Sequence, residues 1–415
     1  MVSSRDAFVR AIDEHRETLD IARRLVSVAS PNPPGDTRAV AEVAAAALRE
    51  LVPDLEVALY PASDRIVNVV ARLRATQPGK RVVMNGHLDT YPVGDESRWS
   101  VDPYGGTVRD GRLYGRGAAD MKGGIAASIS ALAMLAKQRD LWRGEAVLVL
   151  AGDEETMGPL GTEWLIKHVP HARGDAVIIG DVGSPEVLRF GEKGFLWIEL
   201  EATGTAAHGA HVHLGVNAID RLRAGLDRLN ALRDTAVRSP EAVTRAIALA
   251  APVSESLSGT GEAETLRHVT VNVGWIEGGI SMNLVPAKAM AMLDIRLPVG
   301  ISTAEMETTL GSLLGALPGV NWRVLRRSEP TYTDPNADIV RCTVAAAAKL
   351  LGHPPVVNMR VGGCDARLYR RAGIPAIVYG PTPFNMGGPD EYVLADELNV
   401  VAKVHALASL DFLSR

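Results

Sequence analysis

Short, fully apolar runs alternate with stretches patterned for helices, and that alternation constrains the fold of this chain more than any other feature. Ala146–Ala151, Ala176–Ile179 and Ala376–Tyr379 carry almost no polar side chain, as strands buried on both faces do. Around them lie stretches with helical periodicity: Ser4–Val28 with Phe8, Ile12, Leu19 and Leu25, then Thr37–Leu51, about Asp120–Lys137, Gly161–His168, Ala337–Leu351 and Ala395–Leu413. Further strands are expected at Ile66–Leu73 and Arg81–Asn85, after the break at Pro31–Gly35. The expectation is an α/β fold, a mostly parallel sheet flanked by helices.

The rhythm changes after about Gly183. Leu196–Ala202, Val269–Trp275 and Ala287–Ile295 alternate apolar with polar residues, the mark of strands with one wet face, and Val216–Leu232 reads as a helix. From about Ser302 the α/β rhythm resumes. This suggests a smaller α+β domain inserted into a larger one, with boundaries at 1–184, 185–297 and 298–415.

The charge balance is 44 basic against 49 acidic residues in a chain of 415, a net of −5 without a basic stripe, so nucleic acid is not an expected partner. No apolar run is long enough to cross a membrane, and Met1–Arg10 alternates charges where a secretory signal would be apolar. Two cysteines, Cys342 and Cys364, cannot staple a chain this long, which points to a reducing, cytoplasmic setting.

Chemistry-bearing residues cluster at the ends of strands. In Asn85–Thr90, His87 and Asp89 stand two apart, on one side of an extended chain, as a metal ligand and its orienting carboxylate would; a capping Asp beside a partly buried His is the plainer alternative. Gly115–Gly124 sets Asp120 at a helix start among glycines, which serves as a cap or lets the backbone approach an ion. It is neither a dinucleotide fingerprint nor a phosphate loop. Asp153-Glu154-Glu155 follows an apolar strand, where open α/β sheets hold ligands. Such a run is often a solvated turn, but Asp181 also follows a buried strand. Glu155 can then bind a metal while Glu154 serves as general base. One His and several carboxylates suit zinc, manganese or cobalt; no thiolate site is available.

With these motifs the chain resembles the metallohydrolase family of acetylornithine deacetylase, succinyl-diaminopimelate desuccinylase, carboxypeptidase G and the aminoacylases. The ordered G-H-x-D-T, G-x-x-D-M-K-G and D-E-E patterns carry the resemblance over nearly the whole chain. It implies that His87, Asp120 and Asp181 bind one metal, that Asp120 bridges, and that Glu155 and a distal His bind a second. It further implies Glu154 as general base and Asp89 as orienter. The inserted domain resembles a dimerisation domain in which His208 reaches the partner's active site, while Asn283 and Arg296 hold the substrate carboxylate. His211 and His213, nearby, read as surface residues.

Two places depart from the family pattern. Where A-H-x-x-D-E-Y is expected the chain reads Met386-Gly387-Gly388-Pro389-Asp390-Glu391-Tyr392, with Gly387 in the His position. One tightly bound divalent metal, zinc first, with a weak or absent second, is therefore expected. In Gly362–Arg367, matching a loop near the site to which Gly363 would bring substrate contact, Cys364 stands where Ser or Thr is usual; with no His and supporting carboxylate as its base, it is not read as a nucleophile. The resemblance implies a homodimer that hydrolyses an amide-type C–N bond in a small carboxylate-bearing substrate. An aminohydrolase acting on a non-peptide amine and a catalytically silent binding protein are the rival readings.

Overall fold

The computed structural model describes residues 4–13 and 15–415; Met1–Ser3, part of the stretch read for a secretory signal, lie outside them. The chain forms two compact units.

The first unit comprises residues 1–190, 333–358 and 364–415. Its main sheet runs in the order Glu56–Pro61, Val67–Arg74, Glu145–Ala151, Arg81–His87, Ala176–Ile179, Ala376–Val378 and then the strand that starts at Val187. The four central strands are parallel to one another, and the flanking ones are antiparallel. Every residue of Ala176–Ile179 and Ala376–Val378 is buried, as their apolar composition requires. The Gly123–Ala136 helix is buried from Gly123 to Leu135. It packs against Ala395–Leu413 and Thr18–Val26. This is the α/β class expected from the sequence.

The second unit comprises residues 191–332 and 359–363. Its antiparallel sheet has the order Thr270–Gly278, Lys288–Leu297, Gly194–Thr203, Val320–Ser328. Leu196, Ile198 and Leu200 from one strand form a core with Leu222, Met306 and Leu310 from the Ala218–Leu229 and Thr303–Leu314 helices. The main stretch of this unit therefore runs on to Tyr332 and does not end near 298. Val320–Ser328 pairs along Gly194–Thr203, and Thr303–Leu314 supplies core to the same sheet, so both belong with the insert. Thr270–Gly278 is one of the two outer strands and exposes Val273, Trp275 and Ile276. Among the described residues no helix is long and apolar enough to cross a membrane.

His405, inside the last helix, is fully buried. Its Nε2–H donates to the carbonyl of Tyr379 at 2.7 Å, and Nδ1 faces the Ser128 hydroxyl at 3.2 Å. A carbonyl only accepts, so Nε2 carries a proton; that bond favours the charged ring, and burial outweighs it. Burial pushes its pKa down to about 4. A base depressed on folding contributes stability above its unfolded value of 6.5 and loses it as pH falls toward the folded value. Acidification from pH 7 to 4 should remove about 3 kcal/mol through this group. Urea unfolding across that range should show a shallower acid loss in His405→Gln; an identical pH profile would contradict the assignment.

Candidate active site

The site is assembled at the carboxyl ends of the parallel strands. His87 ends Arg81–His87, Glu154 and Glu155 follow Glu145–Ala151, and Asp181 follows Ala176–Ile179. Asp120 comes from the turn before the Gly123–Ala136 helix, and a backbone contact fixes where that helix begins. A Cβ on Gly124 would lie 1.7 Å from the carbonyl oxygen of Gly180, so only glycine allows the approach that brings Asp120 beside Asp181. One ligand atom from each of His87, Asp120 and Asp181 then lies within 4.8 Å of the others.

His87 is oriented by a carbonyl. Its Nδ1–H donates to the main-chain oxygen of Asp89 at 2.9 Å, while the nearest Asp89 carboxylate oxygen is 3.7 Å away. Nε2 is thereby aimed at Asp120 Oδ1, 3.0 Å away. Burial pulls the imidazole pKa down, but the hydrogen bond and charge of Asp120, with Glu154 and Glu155, hold it well above its ordinary value. The Asp89 carboxylate has a different task from the one the sequence suggested. It accepts the backbone N–H groups of Glu154 (3.2 Å) and Glu155 (3.0 Å) and the Asn32 side-chain amide (2.9 Å), and so shapes the acidic loop. Asp153, the first acid of the run, is a staple: it accepts from the Thr156 hydroxyl and the Leu160 N–H.

Glu154 and Glu155 are left facing the cluster. Burial is the main cause pushing both carboxyls up; Asp365 and Asp181 add to it at Glu154, and Asp120 and Glu154 add to it at Glu155. Glu155 Oε1 is buried without a hydrogen-bond partner. A carboxylate oxygen shut away from water and from donors is the vacancy a cation fills, and the donor set of imidazole nitrogen and carboxylate oxygens suits a divalent one. The residues present therefore fit a metal ion.

The sequence matches the description "Peptidase family M20/M25/M40" over residues 83–411. The chain belongs to this family. Like it, this M20-family chain is a metal-dependent hydrolase of amide-type C–N bonds. It is 30% identical over 349 residues to a succinyl-diaminopimelate desuccinylase of Rhodospirillum centenum, covering 82% of this chain and 83% of that one. The fold is similar to an M20 family metallo-carboxypeptidase from Sulfolobus solfataricus, with TM-score 0.79 at 22% identity over 96% of this chain and 100% of the other. It is also similar to human carnosine dipeptidase 1, with TM-score 0.76 at 18% identity over 99% of each.

In the second unit of this M20-family protein, Ala207–His208 pairs with Leu284–Val285, and Gly209 N–H donates to the Asn283 carbonyl at 2.7 Å, so His208 and Asn283 are neighbours. His208 is exposed, and its Nδ1 accepts from Ala210 N–H, which leaves Nε2 outward. Arg296 Nε donates to Asp294 at 2.9 Å, while its Nη1 is buried without a partner. Gly363 ends the second unit.

Two groups escaped the sequence reading. Asp365, which accepts from the Thr162 hydroxyl at 2.6 Å, lies close enough to act on Glu154, and Arg367 sets its guanidinium 3.5 Å from Glu154 Oε1. Both stand in the loop that was read for Gly363; acid and base two apart were the available signal. The second is a buried ion pair between Arg116 and Glu391. Glu391 also accepts the N–H groups of Ala119 (2.9 Å) and Asp120 (3.3 Å), and Arg116 holds the carbonyls of Gly387 and Gly388.

Gly124→Ala should be destabilising by about 3 kcal/mol, since backbone rather than a movable side chain blocks the new methyl. It should also weaken divalent-metal binding by separating Asp120 from Asp181. Urea unfolding and metal calorimetry check this; a variant within 0.5 kcal/mol of wild type (about the precision of such comparisons) would contradict the contact.

Proposed function

We propose that the protein removes the acyl group from a small N-acylated amino compound bearing a carboxylate, the reaction class named for its desuccinylase relatives. The observation that carries this reading is Glu154, a nearly buried carboxyl beside a three-ligand group and an unpartnered Glu155 oxygen. His87, Asp120 and Asp181 would hold one divalent ion tightly, zinc first and manganese or cobalt next, with Glu155 adjoining. Such an ion acts as a Lewis acid on the scissile carbonyl and lowers the pKa of attacking water.

Glu154 takes the proton of the attacking water and returns it to the leaving nitrogen. Its pKa, raised by burial, suits a group that must both hold and release a proton near neutrality. Arg367 opposes that rise and fixes the carboxylate direction. Asp89 keeps the loop carrying Glu154 in register. Arg296, with an unpartnered buried Nη1, and Asn283 hold the substrate carboxylate, where a planar fork suits two oxygens. Gly363 lends backbone contact to the substrate.

His208 completes the oxyanion-stabilising set in the site of a second subunit. A homodimer is supported by the outer strand Thr270–Gly278, whose exposed Val273, Trp275 and Ile276 form an open sheet edge of the kind another chain covers. The cytoplasm is the proposed setting, in keeping with only two cysteines, both buried, in a chain of this length.

Glu154→Gln should lower kcat at least a hundredfold while the bound metal content stays unchanged, as loss of a general base requires. Turnover should be followed on a panel of N-succinyl and N-acetyl amino acids, dipeptides and aromatic amines, scoring carboxylate against ammonia release. Carboxylate release from an N-acyl amino acid supports the reading. Ammonia release would make the protein an aminohydrolase, and full activity in Glu154→Gln would remove the base assignment.

A further inference from the structure

Lys193 is a buried cation in the second unit, outside the acid cluster. It stands just before the strand Gly194–Thr203, and with Phe195 and Trp197 it follows the period of two that puts side chains on one face. Leu196 and Ile198 enter the core from the opposite face. On the neighbouring strand Arg296 lies opposite Phe195, and Asp294 lies opposite Trp197. The Arg296 guanidinium carbon is 5.4 Å from the centre of the Phe195 ring, and Trp197 Nε1–H donates to the Asp294 carboxylate at 3.0 Å.

The Lys193 side chain is fixed at its tip. Nζ donates to the carbonyls of Thr265 at 2.6 Å and His268 at 2.7 Å, at the end of the Glu262–Arg267 helix, where unpaired carbonyls attract a cation. Both partners are neutral, so they leave its charge without a counter-ion. The charged groups that act on it are Arg296 and Asp294. Burial pushes the ammonium down to about 7, Arg296 pushes it the same way, and Asp294 opposes them. Arg296 is itself bonded to Asp294, through Nε at 2.9 Å, and its Nη1 is buried without a partner. Two cations therefore share one acid, and one of them keeps a donor unused.

We propose that Lys193 is a positioning residue for the substrate carboxylate, the second cation that lets Arg296 hold it. By themselves Arg296 and Asp294 make a neutral pair, and an incoming carboxylate meets the acid as well as the guanidinium. With Lys193 held beside them the group carries one positive charge in excess, which one carboxylate at Arg296 Nη1 neutralises. The two carbonyls keep the ammonium from leaning over to pair with Asp294, so the excess stays available to the ligand. The inference deepens the proposed function and rests on its assignment of Arg296. A mere cap on the helix end needs only a donor, which a neutral amide also supplies; the carboxylate site needs the charge.

The test is steady-state kinetics: KM and kcat for the N-acyl amino acid that the wild type turns over best, and the competitive inhibition constant of the same compound with its carboxylate made a primary amide. Lys193→Gln keeps a donor and removes the charge. KM for the acid should rise about tenfold, the size of one partly screened charge interaction, with kcat and the constant for the amide unchanged. Asp294→Asn keeps the acceptor and removes the opposing charge, so KM for the acid should fall, and the double variant should return toward the wild-type value. Its partly exposed side chain makes Asp294→Asn the guard against misfolding of Lys193→Gln. Equal weakening of acid and amide or a fall in kcat in Lys193→Gln, an unchanged KM in Asp294→Asn, or a double variant no better than Lys193→Gln would overturn the inference. Arg296→Met decides the assignment beneath it: a variant that still prefers acid to amide as strongly as wild type would remove Arg296 from the carboxylate site, and the inference with it. A wild type that turns over no N-acyl amino acid would overturn the proposed function as well.

Discussion

Asp89, Asp120, Glu154, Glu155, Asp181 and Asp365 converge on one largely buried cluster, and Arg367, His87 and, at Asp89, Lys122 are cationic groups that act on it. Like charges in such a place repel strongly, because little water screens them. In the protein alone the repulsion is relieved by protons, which is why burial and neighbouring acids together raise Glu154 and Glu155. A divalent ion held there would relieve it without protons, and under the proposed function that would leave Glu154 ionised and able to serve as the base. The same features that make the cluster unfavourable by itself make it a metal-dependent catalyst.

The fold supplies rigidity for that concentration of charge. Parallel strands end together, so His87, Glu154 and Asp181 leave the sheet at one level. Gly124 against Gly180 sets the helix that brings Asp120. Asp89 ties the acidic loop by its backbone, and Arg116 with Glu391 ties the Asp120 turn to the 387 loop. Each fixes the backbone at or next to a residue that bears chemistry, so a small shift in any one reaches the cluster.

Much of this could be read in the sequence because its signals are local. Apolar runs announced the central strands, and acids just after those runs announced the site. What escaped depends on distance along the chain. Arg116 and Glu391 are 275 residues apart and nothing local pairs them. Thr303–Leu314 and Val320–Ser328 carry the same patterns whichever unit they join; only the pairing of the strand with Gly194–Thr203 and the packing of the helix in the same core assign them to the insert. Asp89 shows a subtler limit: its closeness to His87 was legible, but not that its carbonyl orients the ring while its carboxylate holds the next loop. Asp365 and Arg367 were visible as residues and passed over, because the loop was read for Gly363 and Cys364.

The central claim is that the acid cluster is stable at working pH because a divalent ion neutralises it. The most direct test is the unfolding free energy of chelator-stripped protein at pH 8 as free zinc or manganese is raised. An ion that binds only the folded cluster should raise stability with the logarithm of its concentration, by about 4 kcal/mol at a thousandfold excess over Kd. Stability of the stripped protein that does not change with added ion would contradict the account.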